Sequence, residues 1–208
     1  MYTLTIMLSQ PEILQHLESL HQLNDDERLE LSKICKPLFL PKKTKLVKTD
    51  DRFDAVFVLT TGLLRWYFYS DDGTENNVFF SSEADHAVIV GIPEYYADQK
   101  ETKYTIEATV DTQLLLFPKD RFEELAFLHK GIFQFYIKSL KIIIDTLRIR
   151  TEQLCSDSPS ARYEVFLENR SYVTRNTNRK HIANFLGITP NSLSRLTARI
   201  QKKRPPKN

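Results

Sequence analysis

From Asn169 to Asn208 this chain contains no aspartate or glutamate, yet the same stretch holds ten lysines and arginines. The remainder carries 19 basic against 27 acidic residues, so the overall charge of +2 conceals a basic end attached to an acidic body. Such an end suits a polyanionic partner, because Lys and Arg neutralise phosphates and release counterions. The basic residues are not confined to a solubilising tail at Lys202, Lys203 and Arg204. Arg175, Arg179, Lys180, Arg195 and Arg199 are spread through helical patterns upstream.

Other scarcities exclude whole classes of chemistry. Two cysteines, Cys35 and Cys155, cannot build a disulfide scaffold or hold a four-thiolate iron–sulfur cluster. Five glycines, none in a G-x-G-x-x-G or Walker arrangement, argue against a phosphate-cradling nucleotide loop. The five histidines (16, 21, 86, 129 and 181) show no ligand spacing, so no metal is expected. No apolar run approaches the 18 residues of a membrane span, and no signal-peptide pattern opens the chain. The expectation is a cytoplasmic protein, not an enzyme: no Ser/His/Asp set and no carboxylate pair in an identifiable pocket is present.

What is present begins with Thr189-Pro190-Asn191-Ser192-Leu193-Ser194-Arg195-Leu196-Thr197-Ala198-Arg199-Ile200. Thr189 reads as an N-cap and Pro190 as the first helical residue, where its missing N–H costs nothing. Leu193, Leu196 and Ile200 share one face, and Asn191, Arg195 and Arg199 recur every fourth residue on another. Upstream, Lys180–Phe185 reads as a short amphipathic helix around Ile182, with Ala183 small enough for a close helix crossing. Gly187 supplies the positive φ of the intervening corner. This is the pattern of a helix-turn-helix.

The rest of the chain reads in order. Ile13–Leu20 and Asp25–Cys35 are expected to be helices, the second capped by Asn24 with three acids in its first turn. From Pro37 the period becomes two. Strands are expected at Leu38–Leu40, Thr44–Val47, Ala55–Leu59, Leu63–Tyr69, Asn76–Phe80, Ala87–Val90, Tyr104–Thr109 and Gln113–Phe117. Their spacing and turn chemistry predict a compact antiparallel barrel or jelly roll, with Ala55–Phe80 read as a hairpin tipped by Asp-Gly. Pro118 then opens a helical stretch, helical from Glu123 to Gln153 with a break near His129-Lys130-Gly131. Ile132, Phe133, Tyr136, Ile137, Leu140, Ile143, Ile144, Leu147 and Leu154 form a stripe broad enough to pack on the barrel and on a second copy. A single buried core helix is the alternative. Ser156–Ser160 is the hinge, with Pro159 stopping one helix or starting the next.

Two stretches carry a family resemblance covering nearly the whole chain. Ala55-Val56-Phe57-Val58-Leu59-Thr60-Thr61-Gly62-Leu63-Leu64-Arg65, followed by Asp72-Gly73, resembles the core hairpin of a cyclic-nucleotide-binding β-roll. Ile182 to Arg195 is similar to the DNA-binding signature of the Crp/Fnr family of bacterial transcription regulators. The resemblance implies an α+β chain in three parts: a roll over 1–122, a dimerisation helix over 123–155 and a helix-turn-helix unit over 156–208. It implies a homodimer whose two recognition helices (189–203) enter successive major grooves about 34 Å apart on a pseudo-palindromic operator. Double-stranded DNA and RNA polymerase are the implied partners. Asn191 then pairs with adenine and Arg195 grips guanine, while Pro190 contributes no base contact. Arg179, Thr189, Ser192 and Arg199 are assigned to phosphates. Many members follow the recognition helix with a β-hairpin wing, whereas this chain has only the basic, proline-containing end 201–208.

At the family's effector site the chain departs from the pattern. Members that bind cyclic AMP carry a Gly-Glu pair and, about ten residues on, an Arg-Ser/Thr pair. Here Gly91-Ile92-Pro93 and Thr102-Lys103-Tyr104 stand in those places, so the ribose-binding carboxylate and the phosphate-binding arginine are both replaced. Lys103, shifted by one position, offers only a point charge. Cyclic AMP is therefore not expected, and no resident cofactor is implied. An unidentified small molecule in the roll is the alternative reading, in a pocket drawn from Trp66, Gly91, Ile92, Pro93, Thr102, Lys103 and Tyr104, with Tyr67, Tyr69, Tyr95 and Tyr96 as further aromatic candidates. A haem would need His86, and a lone histidine is more often structural. A protein-binding scaffold that has lost DNA is a further alternative.

Overall fold

The computed structural model describes residues 23–82, 89–91 and 101–203, side chains at 89, 90 and 201–203 excepted. The expected helix at 13–20, and Ile92, Pro93, Tyr95, Tyr96 and His86, lie outside the described residues.

The polypeptide enters through α1 (Asp25–Ile34). Asn24 caps it: its side chain accepts from the Glu27 backbone N–H while the Glu27 carboxylate accepts from the Asn24 N–H, a reciprocal capping box. Among the described residues eight strands follow, at β1 (Lys36–Leu40), β2 (Lys45–Val47), β3 (Ala55–Thr61), β4 (Leu63–Tyr69), β5 (Glu75–Ser82), β6 (Ile89–Val90), β7 (Thr105–Ala108) and β8 (Thr112–Pro118). They form two four-stranded antiparallel sheets in the orders β1-β8-β3-β6 and β2-β7-β4-β5. Leu64 and Trp66 of β4 join Val56, Val58, Ile106, Leu114 and Leu115 in the core of this roll.

One expectation needs correction. Residues 55–80 are not a single hairpin. β3 pairs with β8 and β6, whereas β4 pairs with β5 and β7 in the opposite sheet. Only β4–β5 is the hairpin, with Asp71-Asp72-Gly73 at its tip. The chain changes sheets at Gly62, directly after a register shift between Leu59 and Thr61. Gly62 has φ +100°, and a Cβ there would lie 2.5 Å from Thr112 Oγ1 and 2.7 Å from Thr112 Cα. Only glycine allows the two chains to approach so closely.

α2 (Lys119–Leu128) and α3 (Lys130–Ser156) are separated at His129, which serves as C-cap to one and N-cap to the other. The broad apolar stripe splits in two. Ile132, Phe135 and Tyr136 pack against the roll, with Phe117, Phe122 and Tyr136 in successive ring contacts. A second set, Phe133, Ile137, Leu140, Ile144, Leu147, Thr151 and Leu154, follows alternating spacings of four and three. Phe133, Ile144, Leu147 and Leu154 on this seam are exposed. Ser158 caps α4 (Pro159–Asn169), with Pro159 at its start, so the proline begins the new helix. α5 (Ser171–Asn176), a short helix absent from the sequence reading, leads into α6 (Arg179–Phe185) and α7 (Pro190–Lys203).

Gly62→Ala is expected to lower stability by about 2–3 kcal/mol, combining backbone strain with collision against Thr112. Gly73→Ala, with φ +78° but nothing within 4 Å of its Cβ, should cost only about 1 kcal/mol. Thermal or urea melting of the two variants measures the difference; equal losses would show that the close approach at Gly62 carries no energy.

Candidate nucleic-acid interface and its docking on the roll

α6 begins at the side-chain cap of Asn178 and ends at the turn Leu186-Gly187-Ile188, where Gly187 takes φ +68°. Thr189 then caps α7: its Oγ1 accepts from the Ser192 N–H at 3.2 Å, and its carbonyl accepts from the Leu193 N–H. Ile182, Ala183, Leu186, Leu193 and Ile200 are buried together with Tyr163, Phe166 and Val173. Ala183 is fully buried, as a close helix crossing requires. Packing of this inner face fixes which residues α7 presents outward.

Those residues are Asn191, Arg195 and Arg199, all exposed. Asn191 and Arg195 make no hydrogen bond or ion pair with the described residues, so both donors are unengaged. The remaining phosphate candidates are partly occupied. Arg199 donates to Ser160 Oγ at 2.8 Å, Arg179 donates to Thr197 Oγ1 at 2.8 Å, and Thr189 and Ser192 hydroxyls bond each other at 3.0 Å. Their contributions to the protein are capping and bracing as well as any phosphate contact.

The sequence reading missed how this unit is held. Leu63 and Phe80 of the roll belong to the same hydrophobic cluster as Ile182 and Leu186. β4 is consequently buried on both faces. Leu64 and Trp66 face the roll core, whereas Leu63, Arg65 and Tyr67 lie under the C-terminal helices or beside them. Trp66, a pocket candidate, is 3% exposed; it stacks on Phe57 and its Nε1–H donates to Ser81, so it is spent on the core.

β5 ends its sheet, and an edge strand presents unpaired backbone groups. Asn184 of α6 covers them. Its side-chain oxygen accepts from the Asn77 N–H and Asn77 Nδ2, and its Nδ2 donates to the Glu75 carbonyl. Beside this contact lies Arg65, 5% exposed, whose guanidinium reaches Glu75 at 2.8 Å, Glu107 at 3.0 Å and Asn77 Oδ1 at 3.2 Å. Its guanidinium carbon sits 4.0 Å from the Tyr67 ring centre. His181 of α6 approaches with Nδ1 3.0 Å from Glu75 Oε1 and 3.2 Å from Arg65 Nη1. One nitrogen cannot donate to the first and accept from the second, and Arg65 Nη1 already has two acceptors. We therefore assign Nδ1–H to Glu75.

Burial pushes the Glu75 carboxyl up, but hydrogen bonding and charge from Arg65 outweigh it and leave it below its ordinary value. His181 is held below its ordinary value by burial first and then by the Arg65 charge, against the opposing pull of Glu75. On the other side of the same joint, Arg150 donates to the Phe185 carbonyl at 2.7 Å and lies 3.7 Å over the Phe185 ring. Burial, with Arg162 and Arg170 nearby, brings its pKa down to about 10.

The effector candidates are less coherent. Gly91 follows β6 and is buried. Thr102 is buried, with its backbone paired to Asp50 and Asp51 and its hydroxyl accepting from the Tyr104 N–H. The Lys103 ammonium lies 5.3 Å from the ring centres of Phe68 and Tyr104. Tyr67 donates to Glu107 instead of lining a cavity in the roll. Among the described residues no cluster of His, Cys, Asp or Glu is arranged to hold a metal, and no helix is long and apolar enough to cross a membrane.

Residues 37–129 match the cyclic nucleotide-binding domain family. No curated protein matches the sequence. Among solved structures the chain is similar to FixK2 from Bradyrhizobium japonicum, with 17% identity and a TM-score of 0.69 over 82% of this chain and 86% of that one. It is similar to CLP, a c-di-GMP responsive global regulator from Xanthomonas campestris, with 13% identity and a TM-score of 0.67 over 86% and 93%. A protein from Eubacterium rectale assigned to the crp/fnr family gives 19% identity and a TM-score of 0.65 over 87% and 85%. Identities this low establish a shared fold.

The depressed His181 and Glu75 values give a pH dependence with a defined sign. Both groups favour their deprotonated forms on folding. The His181 contribution is therefore complete above pH 6.5 and declines as pH falls from there, and that of Glu75 declines only below pH 4.5. The melting temperature should fall between pH 7.5 and 5.5, and His181→Gln should flatten that fall. Identical pH slopes for the two proteins would remove His181 from the joint's energetics.

Proposed function

We propose, on the premise of a Crp/Fnr-type regulator fold built on a cyclic nucleotide-binding domain, that this chain is a homodimeric, sequence-specific DNA-binding transcription regulator. The observation that supports this most is the outward face of α7. Asn191 and Arg195 project from a helix packed on its other side, without partners among the described residues, in a stretch lacking any carboxylate. A guanidinium left unpaired on a preorganised helix can bond guanine O6 and N7 together, and the Asn191 amide can bond adenine N6 and N7. Arg179, Arg199 and the basic end supply phosphate contacts that fix register without reading sequence.

The seam on α3 supports the dimer. Phe133, Ile144, Leu147 and Leu154 are exposed at coiled-coil spacing while the neighbouring face is already occupied by the roll. Pairing two such helices places the two recognition helices on one face of a two-fold assembly. We read 1–122, 123–155 and 156–208 as the sensor, coupling and DNA-reading parts of that assembly. The roll is read as not using cyclic AMP, since Thr102 provides a buried hydroxyl where a phosphate needs a cation.

Selection of bound sequences from a random DNA pool tests the function. Enrichment of a two-fold-symmetric site is expected, and Arg195→Ala should lose one defined base preference and about 1–3 kcal/mol per half-site. Salt-sensitive binding with no enriched sequence would reject specific regulation. The assembly is tested separately by light scattering: the double variant Ile144→Glu/Leu147→Glu should convert a dimer to a monomer. A dimer that survives both charges is joined elsewhere.

A further inference from the structure

A cleft of about 450 Å³ opens between the roll and the C-terminal helices. Its walls come from three separate places: Lys42 and Lys43 in the turn between β1 and β2, Thr109 and Val110 in the turn between β7 and β8, and Arg175 to Asn178 at the end of α5 and in its link to α6. Arg65, Glu107 and His181 complete the lining. This is neither the interior of the roll, where effector residues were sought, nor the DNA-reading face of α7. Its volume lies within the range of roughly 300–1,000 Å³ typical of small-molecule sites.

Two residues of this lining each carry a buried polar atom without a partner among the described residues. Arg65 Nε and Thr177 Oγ1 are both buried and make no hydrogen bond with the described residues. Arg65 is the more telling of the two, because the residue is 5% exposed and its two terminal nitrogens are fully engaged by Glu75, Glu107 and Asn77. A buried donor left without an acceptor is destabilising, and native proteins leave few of them. One orphan comes from the roll and the other from the helical unit, so a single occupant bonding both would bridge the two.

The charge of the lining identifies the kind of occupant. Four cations, Lys42, Lys43, Arg65 and Arg175, face one carboxylate, Glu107, which Arg65 and Tyr67 already engage. The side chains of Lys42, Lys43 and Arg175 are exposed and make no ion pair with the described residues. Lys43 is also held in left-handed backbone, φ 71°, by its N–H bond to the Ala108 carbonyl. Around these cations stand neutral groups, Thr109, Asn176, Thr177 and Asn178, suited to hydroxyls and phosphate oxygens.

We propose that this cleft is a binding site for a phosphorylated small molecule. Its phosphate oxygens accept from Arg65 Nε–H and Thr177 Oγ–H, and Lys42, Lys43 and Arg175 neutralise its charge. Because the walls belong to both the roll and the helix-turn-helix unit, occupancy tightens the joint between them. The site requires only the fold, and its primary readout, pyrophosphate binding, uses no DNA.

Titration calorimetry of the full chain with inorganic pyrophosphate, at low ionic strength and neutral pH, tests the proposal. Saturable binding is expected, weakened at least tenfold in Thr177→Val and in the double variant Lys43→Ala/Arg175→Ala, and unchanged in Arg195→Ala. The melting temperature of the wild type should rise with pyrophosphate, while that of the double variant should not. Absence of saturable heat at millimolar pyrophosphate overturns the proposal. So does binding that survives Lys43→Ala/Arg175→Ala but is lost in Arg195→Ala, which would place the anion on the DNA-reading face. If the double variant binds pyrophosphate normally but binds DNA with a reduced salt dependence, the cleft cations serve the DNA backbone and the small-molecule site is rejected. A chain that binds pyrophosphate here yet selects no DNA sequence keeps the site and loses the regulator reading.

Discussion

The structure depends on one buried guanidinium. Arg65 stands in the middle of a strand whose two faces are both covered, and there it must be matched by charge or expelled. Glu107 on the adjacent strand and Glu75 at the start of the next supply the match. Glu75 is also the residue whose carbonyl receives Asn184 and whose carboxylate receives His181. The ion pairs that make β4 tolerable inside the roll thus also prepare the surface on which α6 docks. Removing Arg65 would leave two carboxylates at the joint without their cation, which is why the position links the architecture of the roll to the seating of α6.

Much of the fold was legible in the chain. All eight strands fall within a few residues of where period-two runs and turn residues place them, because short antiparallel strands depend on local signals. The helix-turn-helix was legible for the same reason: Asn178, Gly187 and Thr189 act at the positions where they stand in sequence. What could not be read were pairings between distant residues. A run of Leu-Leu-Arg-Trp-Tyr announces a strand but does not say that Arg65 will meet His181, 116 positions later. The same limitation produced the error at 55–80, since Gly62 marks a corner without saying that the chain turns into another sheet.

The candidate site divides along the same line. Asn191 and Arg195 follow from helical periodicity, and the structure leaves both outward, without partners among the described residues. The roll's effector residues were assigned by correspondence with a pattern that the chain does not carry. Trp66 illustrates the result: an aromatic in a strand next to an expected pocket is in fact a core residue with its indole N–H satisfied by Ser81. The orphaned polar atoms and the cationic lining lie instead between the two halves, assembled from segments distant in sequence that no local motif brings together.

Glu27 draws a different consequence from the fold. This residue, 4% exposed, closes the capping box of α1 and also accepts from the Gly131 N–H at the start of α3. A side chain at 131 would occupy the space of that carboxylate. One acid therefore fastens the beginnings of two helices at a single point, at the root of the long helix. Twisting α3 about its axis would withdraw this fastening from both helices together. The base of the helix is thus anchored through a single carboxylate, and any rotation of α3 must first break its bonds to Asn24 and Gly131.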